Sequence, residues 1–131
     1  LCTGHSLGAA LTTLAAADIA VSLASLSPQI RVIHFGGPRV GDTNWPAYFR
    51  RLLPGDTQVT RFINNDDIVP HLPPYYFSFR HAPQELWIQK DGSVVQCDAQ
   101  DGEDPKCSDS VYFFSVSDHL TYLGVLFGPY C

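Results

Sequence analysis

An α/β fold, with parallel strands joined by crossover helices, is what this 131-residue sequence predicts. Three observations carry it. Helical and extended segments alternate through the first half of the chain, and a helix between two strands carries the chain back so that they run parallel. The extended segments are short, mostly apolar runs, which suits buried strands. A Gly-x-Ser-x-Gly pentapeptide, Gly4 to Gly8, stands at the start of the first helix, where a sharp strand-to-helix turn belongs.

Leu7 to about Leu26 reads as the first helix, because Leu7, Leu11, Leu14, Ala15, Ile19, Ser22 and Leu23 recur at three- and four-residue spacing among many alanines. Asp18 is its only charge and shares the face of Leu11 and Leu14, so burial of that face would demand a partner for it. Pro28 marks the stop. Ile30 to Phe35 reads as a buried strand broken by Gly36-Gly37-Pro38. A second helix is expected from near Thr43 to Leu53, with Pro46 in its first turn and Pro54-Gly55 ending it. Gln58 to Ile63 reads as the next strand, and Asn64 to Pro74 as a loop with three prolines. Phe77 to His81 and Glu85 to Gln89 are candidate strands, and Asp91-Gly92 is a hairpin signal leading into Ser93 to Gln96. Cys97 to Ser110 reads as loop, and Asp118 to about Leu126 as a short closing helix. There is no internal repeat and no low-complexity tract.

Composition narrows the function classes. Thirteen acids against eight Lys and Arg leave a net charge of −5, which argues against a basic nucleic-acid-binding surface. Asp98, Asp101, Glu103, Asp104 and Asp109 against Lys106 place −4 of that charge between Cys97 and Asp109. Hydrophobic content of 45% permits a packed core and argues against global disorder. The uncharged stretch Leu1 to Ala17 contains Thr3, His5, Ser6, Thr12 and Thr13 and much alanine, so it reads as a buried helix, not a transmembrane segment. The chain starts at Leu1 without an initiator Met or signal peptide, and the expectation is a fragment or a processed chain. Asn44, Asn64 and Asn65 do not form Asn-x-Ser/Thr acceptors. Of the four cysteines, Cys97 and Cys107 flank a short acidic loop and suit a local disulfide, although four cysteines allow three full pairings. A zinc site is the rival, without the usual CxxC or HxxxH spacing. A disulfide would place the protein in an oxidising compartment.

The pentapeptide carries the chemistry. A serine hydroxyl is a poor nucleophile at neutral pH and needs a base beside it. A tight strand-to-helix turn pushes Oγ out toward that base, and the crowded turn asks for small residues at Gly4 and Gly8. The helix N-terminus supplies free N–H groups for a developing oxyanion, with that of Leu7 the expected first donor. The alternative is a glycine-rich helix start with Ser6 as N-cap. A triad on such a scaffold runs Ser, then Asp or Glu, then His. Asp66 and Asp67, just past the strand ending at Ile63, both qualify as the acid. His119, the last of five histidines, is the candidate base, with Asp118 read as a helix N-cap. His5 is too constrained by the turn to act as the base of its neighbour. His34 reads as a core histidine, and His71 and His81 as structural or surface positions.

Taken together, Thr3-Gly4-His5-Ser6-Leu7-Gly8, Phe35-Gly36-Gly37-Pro38-Arg39-Val40-Gly41-Asp42, Asp67-Ile68-Val69-Pro70-His71-Leu72-Pro73-Pro74, His81 through Glu85-Leu86-Trp87-Ile88, and Asp118-His119-Leu120-Thr121-Tyr122-Leu123-Gly124 resemble, in order and across nearly the whole chain, the secreted fungal triacylglycerol lipases, lipase class 3. The resemblance implies an α/β-hydrolase fold, present here as its C-terminal portion from the nucleophile elbow onward: a mostly parallel sheet with flanking helices. Residues 1–131 would then be one part of a single domain whose first strands, lid helix and second oxyanion donor lie outside this chain. It implies Ser6 as nucleophile, His119 as base and Asp67, which directly precedes Ile-Val-Pro, as the acid. It supports a Cys97–Cys107 disulfide, leaves Cys131 without its usual partner, and places Cys2 on the central strand as a buried free thiol. It suggests Pro38, Ile68, Leu72, Val116 and Leu120 as the lining of an acyl groove, where ordinary core packing is the alternative. Ala9 stands where glycine is common, and Ser117 where some relatives carry an apolar residue.

The implied activity is ester hydrolysis through an acyl-enzyme, needing no cofactor and no metal. The implied partner is a lipid or ester substrate at an oil–water interface, and the implied location is extracellular. Two rivals remain: a feruloyl or other carbohydrate esterase of the same fold, and a non-catalytic lipase-like scaffold, in which one of Ser, Asp or His is usually lost.

Overall fold

The structure, a computed structural model, describes residues 1–55, 58–97 and 102–128. Asp98, Asp101 and Cys131 lie outside the described residues. Five strands form one sheet in sequence order: β1 (Cys2–His5), β2 (Val32–Phe35), β3 (Val59–Asn64), β4 (Glu85–Ile88) and β5 (Val94–Gln96). The first four run parallel and β5 returns antiparallel to β4. Helix α1 (Leu7–Ser22) links β1 to β2, and α2 (Trp45–Leu52) links β2 to β3. The mostly parallel sheet with flanking helices is the arrangement the alternation of segments predicts. Among the described residues no helix is long and apolar enough to cross a membrane.

The face by which α1 docks differs from the one its leucines suggest. Ala9, Ala10, Thr13, Ala16, Ala17 and Ala20 are buried, whereas Leu7 and Leu11 are 68% and 59% exposed. Small side chains at that spacing let the helix axis lie close to the sheet, which a leucine face does not. Asp18 consequently lies on the exposed side and needs no buried partner. The core forms between α1, α2 and the sheet from Ala16, Ala17, Ala20, Val32, Phe49, Leu53 and Val59. After Ser22 the chain tightens into a 3-10 segment, Ala24–Gln29, that contains Pro28 instead of running helically to Leu26. Gln58 fixes this segment by donating to the Ser27 carbonyl at 2.7 Å and the Ile30 carbonyl at 3.1 Å.

Two further expectations are corrected. Phe77 to His81 is not a strand. Tyr75–Phe77 is a 3-10 turn, Ser78 turns left-handed (φ +67°), and only Arg80 bridges, to Gly41. The closing helix is shorter and earlier: α3 spans Val116–His119 and gives way to a hairpin of β6 (Thr121–Tyr122) and β7 (Val125–Leu126). The turn residues Leu123 (φ +51°) and Gly124 (φ +79°) supply the paired positive φ angles that a two-residue hairpin requires. Asp118 is not the N-cap of α3. Ser115 caps it, accepting the Asp118 N–H at 3.0 Å, and the Asp118 carboxylate accepts from the Asp66 N–H at 3.2 Å.

A buried polar layer ties the segment after β5 to the sheet. Cys97 and Cys107 are joined by a disulfide, so these sulfurs are not thiolate ligands, and Cys2 is a free, half-buried thiol on β1. Arg39 pairs with buried Glu103 at 2.7 Å and with Asp109 at 3.0 Å. Arg61 on β3 pairs across the ladder with Glu85 on β4 at 3.0 Å and donates to the Gly102 carbonyl at 2.9 Å. Glu85 also accepts the Ser108 N–H, and Glu103 the His81 N–H. Burial pushes the Glu103 carboxyl up despite its bonds from Arg39. Burial acts the same way on Asp109, but His71 and Arg39 are among the partners that outweigh it and hold the group at about 2.

Two histidines in this layer set a pH dependence. Burial, with Arg61 nearby, pushes His34 down to about 3. Burial, with Arg61 and Arg39 nearby, pushes His81 well below its ordinary value, against the bond its ring makes to the Pro70 carbonyl. Both are neutral when folded, and unfolding returns each to about 6.5, so the unfolded chain binds more protons below that pH. The stability these two histidines contribute is therefore full above about pH 6.5 and is lost as the pH drops, for His34 down to about 3. The urea midpoint of the protein is expected to fall between about pH 7.5 and about pH 5, and to fall less in His34→Asn. A midpoint that does not move with pH would refute this.

Candidate active site

The turn between β1 and α1 places Ser6 at φ +57°, ψ −128°, a backbone conformation that costs a non-glycine residue on the order of 1–3 kcal/mol. The surroundings enforce it. The Ser6 N–H donates to the Phe35 carbonyl at 3.0 Å, so β2 holds the turn. A Cβ on Gly4 would lie 2.3 Å from the Gly8 carbonyl oxygen, so strand and helix meet there without side chains. A Cβ on Gly8 would meet nothing within 4 Å, so the demand for smallness falls on Gly4. Leu7 is the first residue of α1, and its N–H has no acceptor within the helix.

Three of the residues singled out by the sequence meet here. His119 Nε2 lies 2.8 Å from Ser6 Oγ, and His119 Nδ1 lies 2.9 Å from Asp67 Oδ2. A carboxylate only accepts, so Nδ1 carries the proton and Nε2 presents its lone pair to the serine hydroxyl. Asp67 follows β3, is fully buried, and accepts the Val69 N–H at 2.8 Å through its other oxygen. Asp66 faces away and pairs with Lys90 at 2.6 Å. Of the positions suggested for an acyl groove, Ile68 and Leu72 line an open cleft of about 770 Å³ together with Tyr75, Tyr76 and Phe114. Pro38, Val116 and Leu120 do not line it, and Val116 is 64% exposed. His71 borders the same cleft, 3.5 Å from Asp109.

Sequence reasoning missed three contributors. Tyr122 is buried, and its hydroxyl donates to Asp67 Oδ2 while accepting the Asn64 N–H at 3.2 Å. Burial, reinforced by the Asp67 charge, pushes the phenol up, so it stays a donor. Asn64 donates to the carbonyls of Asp118 at 3.1 Å and Thr121 at 2.8 Å, binding the segment around His119 to the end of β3. Gly36, which the sequence marks only as a strand breaker, has φ +55°, and a Cβ there would come within 2.7 Å of Asp67 Oδ2 and 3.0 Å of His119 Nδ1. Its position directly after a strand was the available signal. The segments also join through the backbone: Ser115 N–H donates to the Asp66 carbonyl at 2.7 Å, and Asp67 and Ser115 form a parallel bridge.

Residues 1–77 match the family model described as lipase (class 3). The chain is 41% identical over 126 residues to a lipase of Rhizomucor miehei, covering 94% of this chain and 34% of that one. It is 32% identical over 117 residues to a secreted mono- and diacylglycerol lipase of Malassezia globosa, covering 89% of this chain and 36% of that one. A solved triacylglycerol lipase, whose catalytic centre is described as a serine protease triad, superposes with a TM-score of 0.85 at 40% identity, covering 97% of this chain and 48% of that one. The chain thus spans about a third of the length of these curated relatives.

The crowding at Gly36 yields a prediction. Gly36→Ala is expected to displace the Asp67–His119 pair and slow fluorophosphonate labelling of Ser6 by about 100-fold or more, since an error near 1 Å costs that much. Labelling at the unsubstituted rate would show that the pair tolerates the methyl group.

Proposed function

The chain belongs to the class 3 lipase family and has its α/β-hydrolase fold, and from that premise we propose that it carries the catalytic centre of a secreted serine ester hydrolase of the triacylglycerol lipase type. The observation that carries the proposal is the unbroken hydrogen-bonded line from Ser6 Oγ through His119 to the buried Asp67 carboxylate. Ser6 Oγ attacks the ester carbonyl as His119 Nε2 takes its proton. Asp67 holds the ring in this tautomer and stabilises the imidazolium that forms. The Leu7 N–H is the first donor to the oxyanion, and losing one such donor typically costs about 100- to 1000-fold in turnover. His119 gives the proton to the departing alcohol, leaving the acyl group on Ser6. Water, deprotonated by the same ring, then releases the fatty acid. No step requires a metal or cofactor.

The substrate side of the reading is a fatty-acyl ester presented at an oil–water interface, with Ile68 and Leu72 on the acyl side. These residues form the C-terminal part of one domain that N-terminal strands and a lid complete. Supporting this, β1 is the outer strand of the described sheet, and the leucines of α1 and Ile33 of β2 are exposed, whereas parallel sheets are normally covered on both faces.

Fluorophosphonate labelling with peptide mapping, on this chain and on the full-length protein, tests the reading. Labelling at Ser6 in the full-length protein, with hydrolysis of emulsified long-chain triacylglycerol and loss of both in Ser6→Ala, is expected. Labelling of the full-length protein alone would show that the N-terminal part is needed to assemble the centre. Turnover of a feruloyl ester but not of triacylglycerol would favour the carbohydrate esterase. Full activity in Ser6→Ala, or no labelling of the full-length protein in detergent, would overturn the hydrolase.

A further inference from the structure

The residue before the nucleophile touches the base as directly as the nucleophile does. His5 Nε2 lies 2.8 Å from the backbone carbonyl oxygen of His119. A carbonyl only accepts, so His5 carries its proton on Nε2 and donates it. Its ring stacks on the His119 ring at 4.5 Å between centroids and, on the other side, on Phe127 at 4.3 Å and 11°. The carbonyl it meets is the last of α3, a short helix whose terminal carbonyls have no partners within the helix. The turn at Ser6 makes this reach possible. In an extended strand the side chains of residues 5 and 6 would point to opposite faces, but the positive φ of Ser6 lets both meet the same residue.

We propose that His5 is a positioning residue for the base: its Nε2–H bond to the His119 carbonyl, held by the stack on Phe127, fixes the height at which the His119 ring meets Ser6 Oγ. Burial shifts the His5 ring toward its neutral form, against the hydrogen bond to the His119 carbonyl and the Asp67 charge and with the help of the facing His119 ring. A neutral ring adds no full charge beside the imidazolium that forms during turnover. The inference rests on the reading of Ser6, His119 and Asp67 as a triad.

The test uses the full-length protein, a soluble short-chain ester and the NMR signal of the His119 Nδ1 proton. His5→Phe keeps a stacking ring and removes the donor. His5→Gln keeps a donor and removes the ring, and His5→Met, of similar length, removes both. The expected result is a loss of about ten- to a hundredfold in kcat for His5→Phe and His5→Met with KM little changed, and a shifted or broadened Nδ1 proton signal. His5→Gln is expected to recover a large part of that loss. Wild-type kcat and an unmoved signal in folded His5→Phe would overturn the proposal. So would equal impairment of His5→Gln and His5→Met, the pair that decides if His5→Phe does not fold. Because wild-type turnover and its loss in Ser6→Ala are measured alongside, failure of His5 alone is distinct from failure of the triad, which would take this proposal with it.

Discussion

A carboxylate with no exposure to water organises this molecule. Burying an unpaired charge is prohibitively costly, so Asp67 is stable only where donors converge on it. It collects three: the Val69 N–H from its own loop, the His119 Nδ1–H and the Tyr122 hydroxyl. Two of them come from a segment more than 50 residues away. Satisfying one charge therefore fixes where α3 and the β6–β7 hairpin sit relative to β3. Placing the His119 ring is thus partly a consequence of placing Asp67.

The ion pairs Arg39–Glu103 and Arg61–Glu85 do related work in the layer beneath. Buried pairs of this kind contribute little net stability compared with apolar packing. They do contribute direction, because a guanidinium fork accepts few arrangements of its partners. Glu103 is bonded by Arg39, the Ser108 N–H by Glu85 of β4, and the disulfide ties Cys107 to Cys97, the residue after β5. The acidity of this segment, which the sequence shows as a charge cluster, is thus in part internal: Glu103 is buried as a counter-ion and is not a solvated surface charge.

Much of this was legible in the residues. The alternation of helix and strand gave the parallel sheet, and Gly4-His5-Ser6-Leu7-Gly8 marked the turn. Position along the chain was enough to select His119, but it left Asp66 and Asp67 equivalent, since consecutive residues differ only in which way they point. Only the resemblance to a family, or the fold itself, separates them. What was illegible has physical causes. Helix α1 presents two periodic faces, and leucine size favours the wrong one when close approach to a sheet selects alanine. The segment after His119 alternates too briefly for a two-residue strand to be told from a helix, and Leu123 at positive φ is not a residue that marks a hairpin turn. Gly36 showed only its position after a strand, and the importance of both Gly36 and Tyr122 lies in what occupies the space beside them, which no local pattern records.

The location of the site follows from topology more than from any single contact. Parallel strands deliver all their carboxyl ends to one edge of the sheet, and it is outside those ends that α/β sheets place their sites. Ser6 follows β1, Gly36 follows β2 and Asp67 follows β3, so three consecutive strands each deliver one component to the same edge. His119 is not delivered by a strand of this sheet; it ends α3. It comes instead on a segment that is zipped to the end of β3 by the Asp67–Ser115 bridge and by Asn64. Asn64 and Asp67 hold this segment from the β3 side, bonding to the Asp118 and Thr121 carbonyls, the His119 ring and the Tyr122 hydroxyl.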